Sequence, residues 1–372
     1  MPALTIPSLE KKYEHFTVPV FYIMAGESKL EGADLLIENL SVVITSGYEA
    51  SSCSFEVSSD KIYYLRDGGV TKHALLDKAL VVGSKLEVKI GYKNADGAVV
   101  VFKGFITSVE YLLDGKEGFR YYISGMDFKI FMMNNMRSEL KKDVKKYSDA
   151  VSGILKDYRS MMDGDSIEQT DELTIPIEQH RQSDYEFVVD LAKRVNFQFY
   201  VICGKVYFES YTKNSDSQLT VSPGKYLYKF RREITLDKQI AGVVVRTNNE
   251  QDPEKPIEAK VTTVDAVGDG QKTSKQVSKL IGDKMLKTII DNSVTSEKEA
   301  QARATAELLK ASLEFVSGEI ETVGIPELIP GKYVTIENIN DIYDQKYYIT
   351  EVTHSINTSG FRTRCRFGVN KA

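Results

Sequence analysis

The chain has 372 residues, with 48 Lys+Arg against 53 Asp+Glu for a formal net charge of -5, and 42% of its residues are hydrophobic. That balance excludes disorder as the main state, leaves room for two or three domains, and argues against wholesale nucleic-acid binding, which needs a basic face to displace the counterions of phosphates. No apolar run approaches the ~20 residues of a membrane-crossing helix, and the opening MPALTIPSLEKKYEHF lacks the charged-then-apolar layout of a signal peptide, so a soluble protein made in the cytoplasm, without stable membrane association, is expected.

Period-two alternation dominates before residue 130. Cys53, Phe55 and Val57 alternate with Ser52, Ser54, Glu56 and Ser58, and Leu86, Val88, Ile90 and Tyr92 alternate with Lys85, Glu87, Lys89 and Gly91, as in antiparallel strands with one buried face. Asn94-Ala95-Asp96-Gly97 carries turn chemistry between 85–92 and the apolar run 99–106, which predicts a hairpin, and a further strand is predicted over 119–124. The pattern then becomes helical: Tyr147, Val151, Ile154, Leu155, Tyr158 and Met162 recur at helical spacing, with Ser148 placed to cap. Ser183-Asp184-Tyr185-Glu186 reads as a capping box opening a helix through Val188, Leu191, Ala192 and Val195. Residues 197–203 and 206–211 around Gly204-Lys205 read as a hairpin.

After Pro223-Gly224 strands return, with a β-branched one over 241–247. Between 265 and 292 the pattern is ambiguous: Val277, Leu280, Ile281 and Met285 fit a helix, while 285–290 fits a strand equally well. Ser296-Glu297-Lys298-Glu299 is a second capping box before an alanine-rich helix near 297–313. In the last strand Phe361, Thr363, Cys365, Phe367 and Val369 share one face, and Arg362, Arg364 and Arg366 share the other.

Two parts of the chain resemble each other. Gly83, Leu86-Glu87-Val88-Lys89-Ile90, Phe105-Ile106-Thr107-Ser108-Val109-Glu110-Tyr111 and Gly118-Phe119-Arg120 have counterparts in Gly331, Tyr333-Val334-Thr335-Ile336, Tyr348-Ile349-Thr350-Glu351-Val352-Thr353-His354 and Gly360-Phe361-Arg362. Either two antiparallel units chose similar strand and turn residues, or one β module was duplicated. Duplication would let a ring of three chains display six similar modules to a sixfold neighbour. The fold class expected is α+β, mainly β: two similar antiparallel β-barrel modules, 1–130 and 223–372, flank a small α/β domain at 131–222, with strands near 225–247 available to complete the first module.

Catalytic chemistry is sparse. The four histidines, His15, His73, His180 and His354, form no HExxH and no metal-ligand spacing with Cys53, Cys203 or Cys365. Gly268-Asp269-Gly270-Gln271-Lys272-Thr273 lacks the P-loop spacing and reads as a surface loop. The acidic cluster Asp163, Asp165, Glu168, Asp171 and Glu172 departs from EF-hand order, which favours a solvated loop over calcium binding or glycoside hydrolysis. His354 fits a hydrogen-bonded structural role. No catalytic, cofactor-binding or metal residue is assigned. The Arg362, Arg364 and Arg366 stripe has two open readings, a contact to a neighbouring subunit or tube protein through bidentate pairing, and a solvated strand face.

Ser183-Asp184-Tyr185-Glu186-Phe187 with Leu191-Ala192 and the hairpin after it resembles the SD-aromatic-E-F signature of the phage late control gene D family, which includes tail hub proteins and the hub portion of VgrG-type proteins. The helix start at Ser296, Pro330-Gly331, and the strand Tyr347-Tyr348-Ile349-Thr350-Glu351-Val352-Thr353-His354 match the same family's later pattern. The resemblance implies a homotrimeric, non-enzymatic baseplate hub of a contractile tail or tail-like particle. Such a hub is made in the bacterial cytoplasm and joins the hexameric inner tube to a trimeric spike among other baseplate proteins. The chain stops at Ala372, just after the second module, so the spike is expected to be a separate polypeptide. The alternatives are a tail-associated cell-wall hydrolase using the acidic cluster, and the hub of an injection system delivering protein rather than DNA.

Overall fold

A computed structural model describes residues 4–31, 35–58, 74–93, 97–114, 118–141, 144–173, 176–211, 213–224, 226–248, 255–278, 281 and 285–372. The chain opens with α1 (Ile6–Lys12), β1 (Pro19–Ala25), β2 (Ser28–Lys29), β3 (Leu36–Thr45), β4 (Ser52–Ser58), α2 (Ala74–Ala79), β5 (Lys85–Tyr92), β6 (Val99–Asp114) and β7 (Gly118–Met126). Alternation places the strands as predicted: Cys53, Phe55 and Val57 in β4, and Leu86, Val88 and Ile90 in β5, all point into the core. Of the turn Asn94-Ala95-Asp96-Gly97, residues 94–96 lie outside the described residues, but β5 and β6 pair as the hairpin requires, from Ile90↔Val99 to Lys85↔Phe105.

The middle of the chain forms α3 (Lys129–Asn134), β8 (Met136–Lys141), α4 (Tyr147–Leu155), β9 (Gly164–Ile167), β10 (Ile177–Ser183), α5 (Asp184–Val195), β11 (Phe197–Ile202) and β12 (Lys205–Ser210). The capping box of α5 closes in both directions: Glu186 N–H donates to Ser183 Oγ at 3.1 Å, and Ser183 N–H donates to Glu186 Oε2 at 2.8 Å. Asn196, at φ 60°, ends the helix in the left-handed region. Cys203 and Gly204 both take positive φ in the two-residue turn joining β11 to β12. Ser148 does not cap α4. It lies inside the helix and exchanges hydrogen bonds with Thr170, donating its N–H to Thr170 Oγ1 at 3.1 Å. The helix is also shorter than the apolar spacing suggests, because a 3₁₀ segment, Lys156–Met161, turns Tyr158 toward Asp184, to which its hydroxyl donates at 2.7 Å.

The remainder is β13 (Ser217–Val221), β14 (Leu227–Ile234), β15 (Gly242–Thr247), β16 (Ile257–Val261), α6 (Ser274–Val277), β17 (Leu286–Ile290), α7 (Glu297–Leu313), β18 (Val316–Val323), β19 (Tyr333–Ile336), β20 (Lys346–Asn357) and β21 (Gly360–Val369). The ambiguous stretch divides into the short α6 and the strand β17, which runs parallel to the buried β15; Leu280 lies outside the described residues. Only half of the second capping box forms. Ser296 Oγ accepts from Glu299 N–H, but Glu299 turns to Thr295 N–H at 2.7 Å and to the Tyr147 hydroxyl at 2.7 Å, which ties α7 to α4.

One sheet dominates the molecule. Among the described residues it has 13 strands, in the order β14-β18-β21-β20-β3-β4-β7-β6-β5-β1-β2, with β19 joining β13 to β20. Two distinct closed barrels are therefore not formed, because β3 from the first half pairs along β20 from the second, from Glu351↔Thr45 to Ile356↔Leu40, and merges the halves into one curled sheet. The same fusion explains a single core that runs from Phe55, Val88 and Ile106 through to Ile320, Ile349 and Phe367. A second cluster fills the space between α4, α5, β11 and β12, and a third lies between α7 and the β15 sheet.

Within that sheet the two similar sequence stretches have the same geometry. Gly83 (φ 88°) donates to Ile106 O, and Ile106 donates to Ser84 O; Gly331 (φ 80°) donates to Ile349 O, and Ile349 donates to Lys332 O. Pairing continues in step, with Lys85↔Phe105 and Leu86↔Gly104 matched by Tyr333↔Tyr348 and Val334↔Tyr347. Both hairpins bulge at one place, between Ile106 and Ser108 in β6 and between Ile349 and Glu351 in β20. At each bulge the threonine hydroxyl donates across the hairpin, Thr107 to Ser124 O at 3.2 Å and Thr350 to Arg366 O at 3.4 Å. The third strand agrees as well: Ser52↔Met126 in β4 corresponds to Ser317↔Gly368 in β18.

Candidate functional site

The strongly patterned surface is the outer face of β21. Apolar alternation buries Phe361, Cys365 and Phe367, and this forces Arg364 and Arg366 outward into solvent. Neighbouring strands then decide what the arginines meet. Glu319 and Glu321 of β18 lie beside Arg364 at 3.5 and 3.4 Å, and Glu351 of β20 lies 3.4 Å from Arg366. Arg362 stacks over the Tyr228 ring at 3.8 Å, and Lys229 reaches Glu319 at 3.1 Å. The stripe is thus one rung set of an alternating charge ladder rather than a bare cationic strip. Exposed pairs of this kind contribute little stability, about 0 to 1 kcal/mol each, but they set a surface potential. An open groove of about 480 Å³ lies alongside, lined by Arg231, Glu233, Ser317, Glu319, Thr350 and Arg366.

The signature residues lie elsewhere and act as clamps. Asp184 is fully buried, accepting from Tyr158 Oη, Asn135 Nδ2 at 3.0 Å and Gln179 Nε2 at 2.9 Å, with the Arg137 guanidinium 3.0 Å away. Burial first, and then the bond to Asp184, push the Tyr158 phenol up to about 12. Tyr185 donates its hydroxyl to Tyr48 O at 2.9 Å, which fixes α5 against the β3–β4 turn, and Phe187 fills the second core. Gly331 of the Pro330-Gly331 turn holds Ile349 as described above. Tyr347 is buried and donates to Tyr343 O at 2.9 Å. His354 is fully buried, its Nδ1 3.0 Å from Thr363 Oγ1, and burial pushes the imidazole down to about 4.

The acidic residues at 163–172 do not converge. Asp163 pairs with Lys103 at 2.6 Å, Asp165 with Arg159, and Asp171 with Lys298 at 2.6 Å, while Glu168 accepts from Ser210 N–H at 3.2 Å. Glu172 forms a β-bridge to Lys146. Among the described residues no group of three or more His, Cys, Asp or Glu is placed to hold a metal ion.

The sequence did not reveal two other features. Lys129 is wholly buried, donating to the carbonyls of Tyr48 and Glu49 and lying 5.7 Å from the Phe199 ring. Burial lowers its pKa and raises that of neighbouring Asp127, which accepts the N–H groups of Ser51 and Lys129. The sheet also ends on apolar side chains, since Tyr111 and Leu112 of β6 and Tyr228 and Ile234 of β14 are about half exposed. A signal for the exposed apolar end of β6 stands in the sequence, because Tyr111-Leu112 puts apolar residues on both faces of a strand that otherwise alternates.

A family model described as the Alg8 N-terminal domain matches residues 56–358. The chain belongs to the Alg8 N-terminal domain family. No curated protein matches its sequence. Among solved structures this Alg8 N-terminal domain chain is similar to the tail protein of Neisseria meningitidis MC58, with a TM-score of 0.69 and 13% identity over 95% of this chain and 97% of that one. It is also similar to the prophage MuSo2 43 kDa tail protein of Shewanella oneidensis, with a TM-score of 0.67 and 13% identity over 94% and 98% of the two chains. A third likeness is to the E. coli c3393 protein, a component of the type VI secretion system described as structurally similar to T4 bacteriophage tail proteins gp27 and gp5. There the TM-score is 0.57 and the identity 9%, over 94% of this chain and 76% of that one. The Alg8 N-terminal domain family member therefore shares the tail-protein fold that its SD-aromatic-E-F motif suggests.

Proposed function

We propose that the chain is a structural, non-enzymatic hub of a contractile tail or tail-like particle, a homotrimer that adapts a hexameric inner tube to a trimeric spike. One observation carries this reading: the β5–β6–β7–β4 strands and the β19–β20–β21–β18 strands repeat the same register, bulge and threonine bond. Three copies then offer six near-equivalent units to a sixfold ring, which one unit per chain could not do. The division into 1–130, 131–222 and 223–372 belongs to this proposal, with the middle segment bracing the two units through Tyr185, which donates to Tyr48 O, and Tyr147, which donates to Glu299. The charge ladder around Arg362, Arg364 and Arg366 is the surface proposed to meet tube or neighbouring subunits.

Light scattering of the purified chain, alone and with tube and spike proteins, tests the reading. A trimer is expected, and a chain that stays monomeric with both partners present overturns it. The likeness to a type VI secretion component favours a protein-delivering particle as the second reading, and identification of the cargo in purified particles separates that from a DNA-delivering tail.

A further inference from the structure

The two repeats differ at one place in their pairing. On β20, residues 351–356 beyond the bulge pair with β3 of the other repeat. The corresponding stretch of β6 is 108–113, and among the described residues the ladder on that edge stops where β5 ends, at Lys85↔Phe105. The counterpart of β3 is β14, since Val43↔Ser52 corresponds to Glu233↔Ser317, and among the described residues β14 is the terminal strand of the sheet.

Burial follows the same asymmetry. Beside β3, Thr353 and Ser355 are half-buried and His354 fully buried, whereas their counterparts Glu110, Leu112 and Tyr111 are exposed. Ile44 and Thr45 are buried against β20, whereas Ile234 is about half exposed and Thr235 half-buried. Among the described residues, two strand edges that are paired in one repeat are thus without a paired strand in the other.

We propose that β6 beyond its bulge pairs antiparallel with β14 of a second copy of this chain, in the register that β20 and β3 already use. The register follows by substitution: Ser108 lies opposite Thr235, Val109 opposite Ile234, Glu110 opposite Glu233, Tyr111 opposite Arg232 and Leu112 opposite Arg231. The apolar Val109 and Ile234 meet as Val352 and Ile44 do, and Tyr111 lies beside Arg232, whose guanidinium is already over the Tyr343 ring at 5.4 Å. Glu110 opposite Glu233 is the unfavourable pair; Arg231, 3.2 Å from Glu233, lies diagonal to Glu110 and offsets it. Main-chain ladders of this kind satisfy edge groups that would otherwise invite promiscuous pairing. The joint is head-to-tail, so it generates a closed ring or an open array. The closure at three copies rests on the hub reading above, and the joint itself does not.

The test is disulfide trapping in the full chain under mild oxidation. Glu110→Cys with Glu233→Cys should give covalent species on a non-reducing gel that end at trimer. Glu110→Cys with Arg232→Cys, which places the thiols on opposite faces of the ladder, should give at least tenfold less. As a second measurement, Ile234→Lys, at an exposed position, should weaken self-association at least tenfold while leaving the circular dichroism of the monomer unchanged. Trimers by light scattering in which the first pair does not link, or links no better than the second, overturn the joint and leave the hub reading standing. Linked arrays that run past trimer uphold the joint and overturn threefold closure.

Discussion

The β6–β7 hairpin and the β20–β21 hairpin share a glycine, a bulge and a threonine bond, yet beyond its bulge β20 pairs with β3 as well as β21, whereas among the described residues β6 beyond its bulge pairs with β7 alone. Local sequence set the geometry of each hairpin, and position in the chain set what covers it. His354 and Tyr111 show the consequence: corresponding positions, one fully buried and the other about half exposed. Two units of one geometry therefore need not have like surroundings, and the difference between them falls where the joint to a second chain is proposed.

The largest effect expected on this comparison comes from its shared core residue. Ile106 and Ile349 are 1% and 0% exposed, so Ile106→Ala and Ile349→Ala should each cost about 2 to 5 kcal/mol. Urea melts of both should agree within about 1 kcal/mol if the two sites are equivalent in packing; a large gap would break the equivalence.

Next comes pH. Burial holds the His354 imidazole near 4 against its ordinary 6.5, so between those values the unfolded chain binds more protons than the folded one. Stability should fall as pH drops through that window and level off below it, by at most about 3 kcal/mol. His354→Phe should remove this component, seen as a difference from wild type that narrows toward acid in melts at pH 7, 5 and 4.

Smaller effects sharpen the match. Gly83→Ala should cost about 1 to 2 kcal/mol for the left-handed backbone. Gly331→Ala should cost more, because an added Cβ there meets Tyr200 Oη at 3.2 Å, whereas at Gly83 it meets nothing within 4 Å. Thr107→Val and Thr350→Val should each cost about 1 kcal/mol or less, the net worth of one hydrogen bond, and differential scanning calorimetry of the pair checks that the losses are alike.

Much of the fold was legible beforehand because its signals are local. Alternation located β4, β5 and β21, the box at Ser183 and Glu186 started α5, and the alanine-rich run gave α7. Ser148 misled because a hydroxyl near a helix start has other donors within reach, here the Thr170 N–H. The parallel strand β17 was ambiguous because its partner β15 lies more than 40 residues earlier, and no short window contains that contact. The arginine stripe was visible as a pattern, but its carboxylate partners were not, since Glu319 and Glu351 come from two other strands.

The sequence by itself determined the two kindred hairpins, because glycine, bulge and alternating side chains act over a few residues. Only the tertiary structure decided that β3 closes on β20 while β14 and the end of β6 are left at margins of the sheet. That choice depends on which distant strands can reach one another: chain connectivity brings β3 of the first repeat onto β20 of the second, while among the described residues no strand of the second repeat returns to the end of β6.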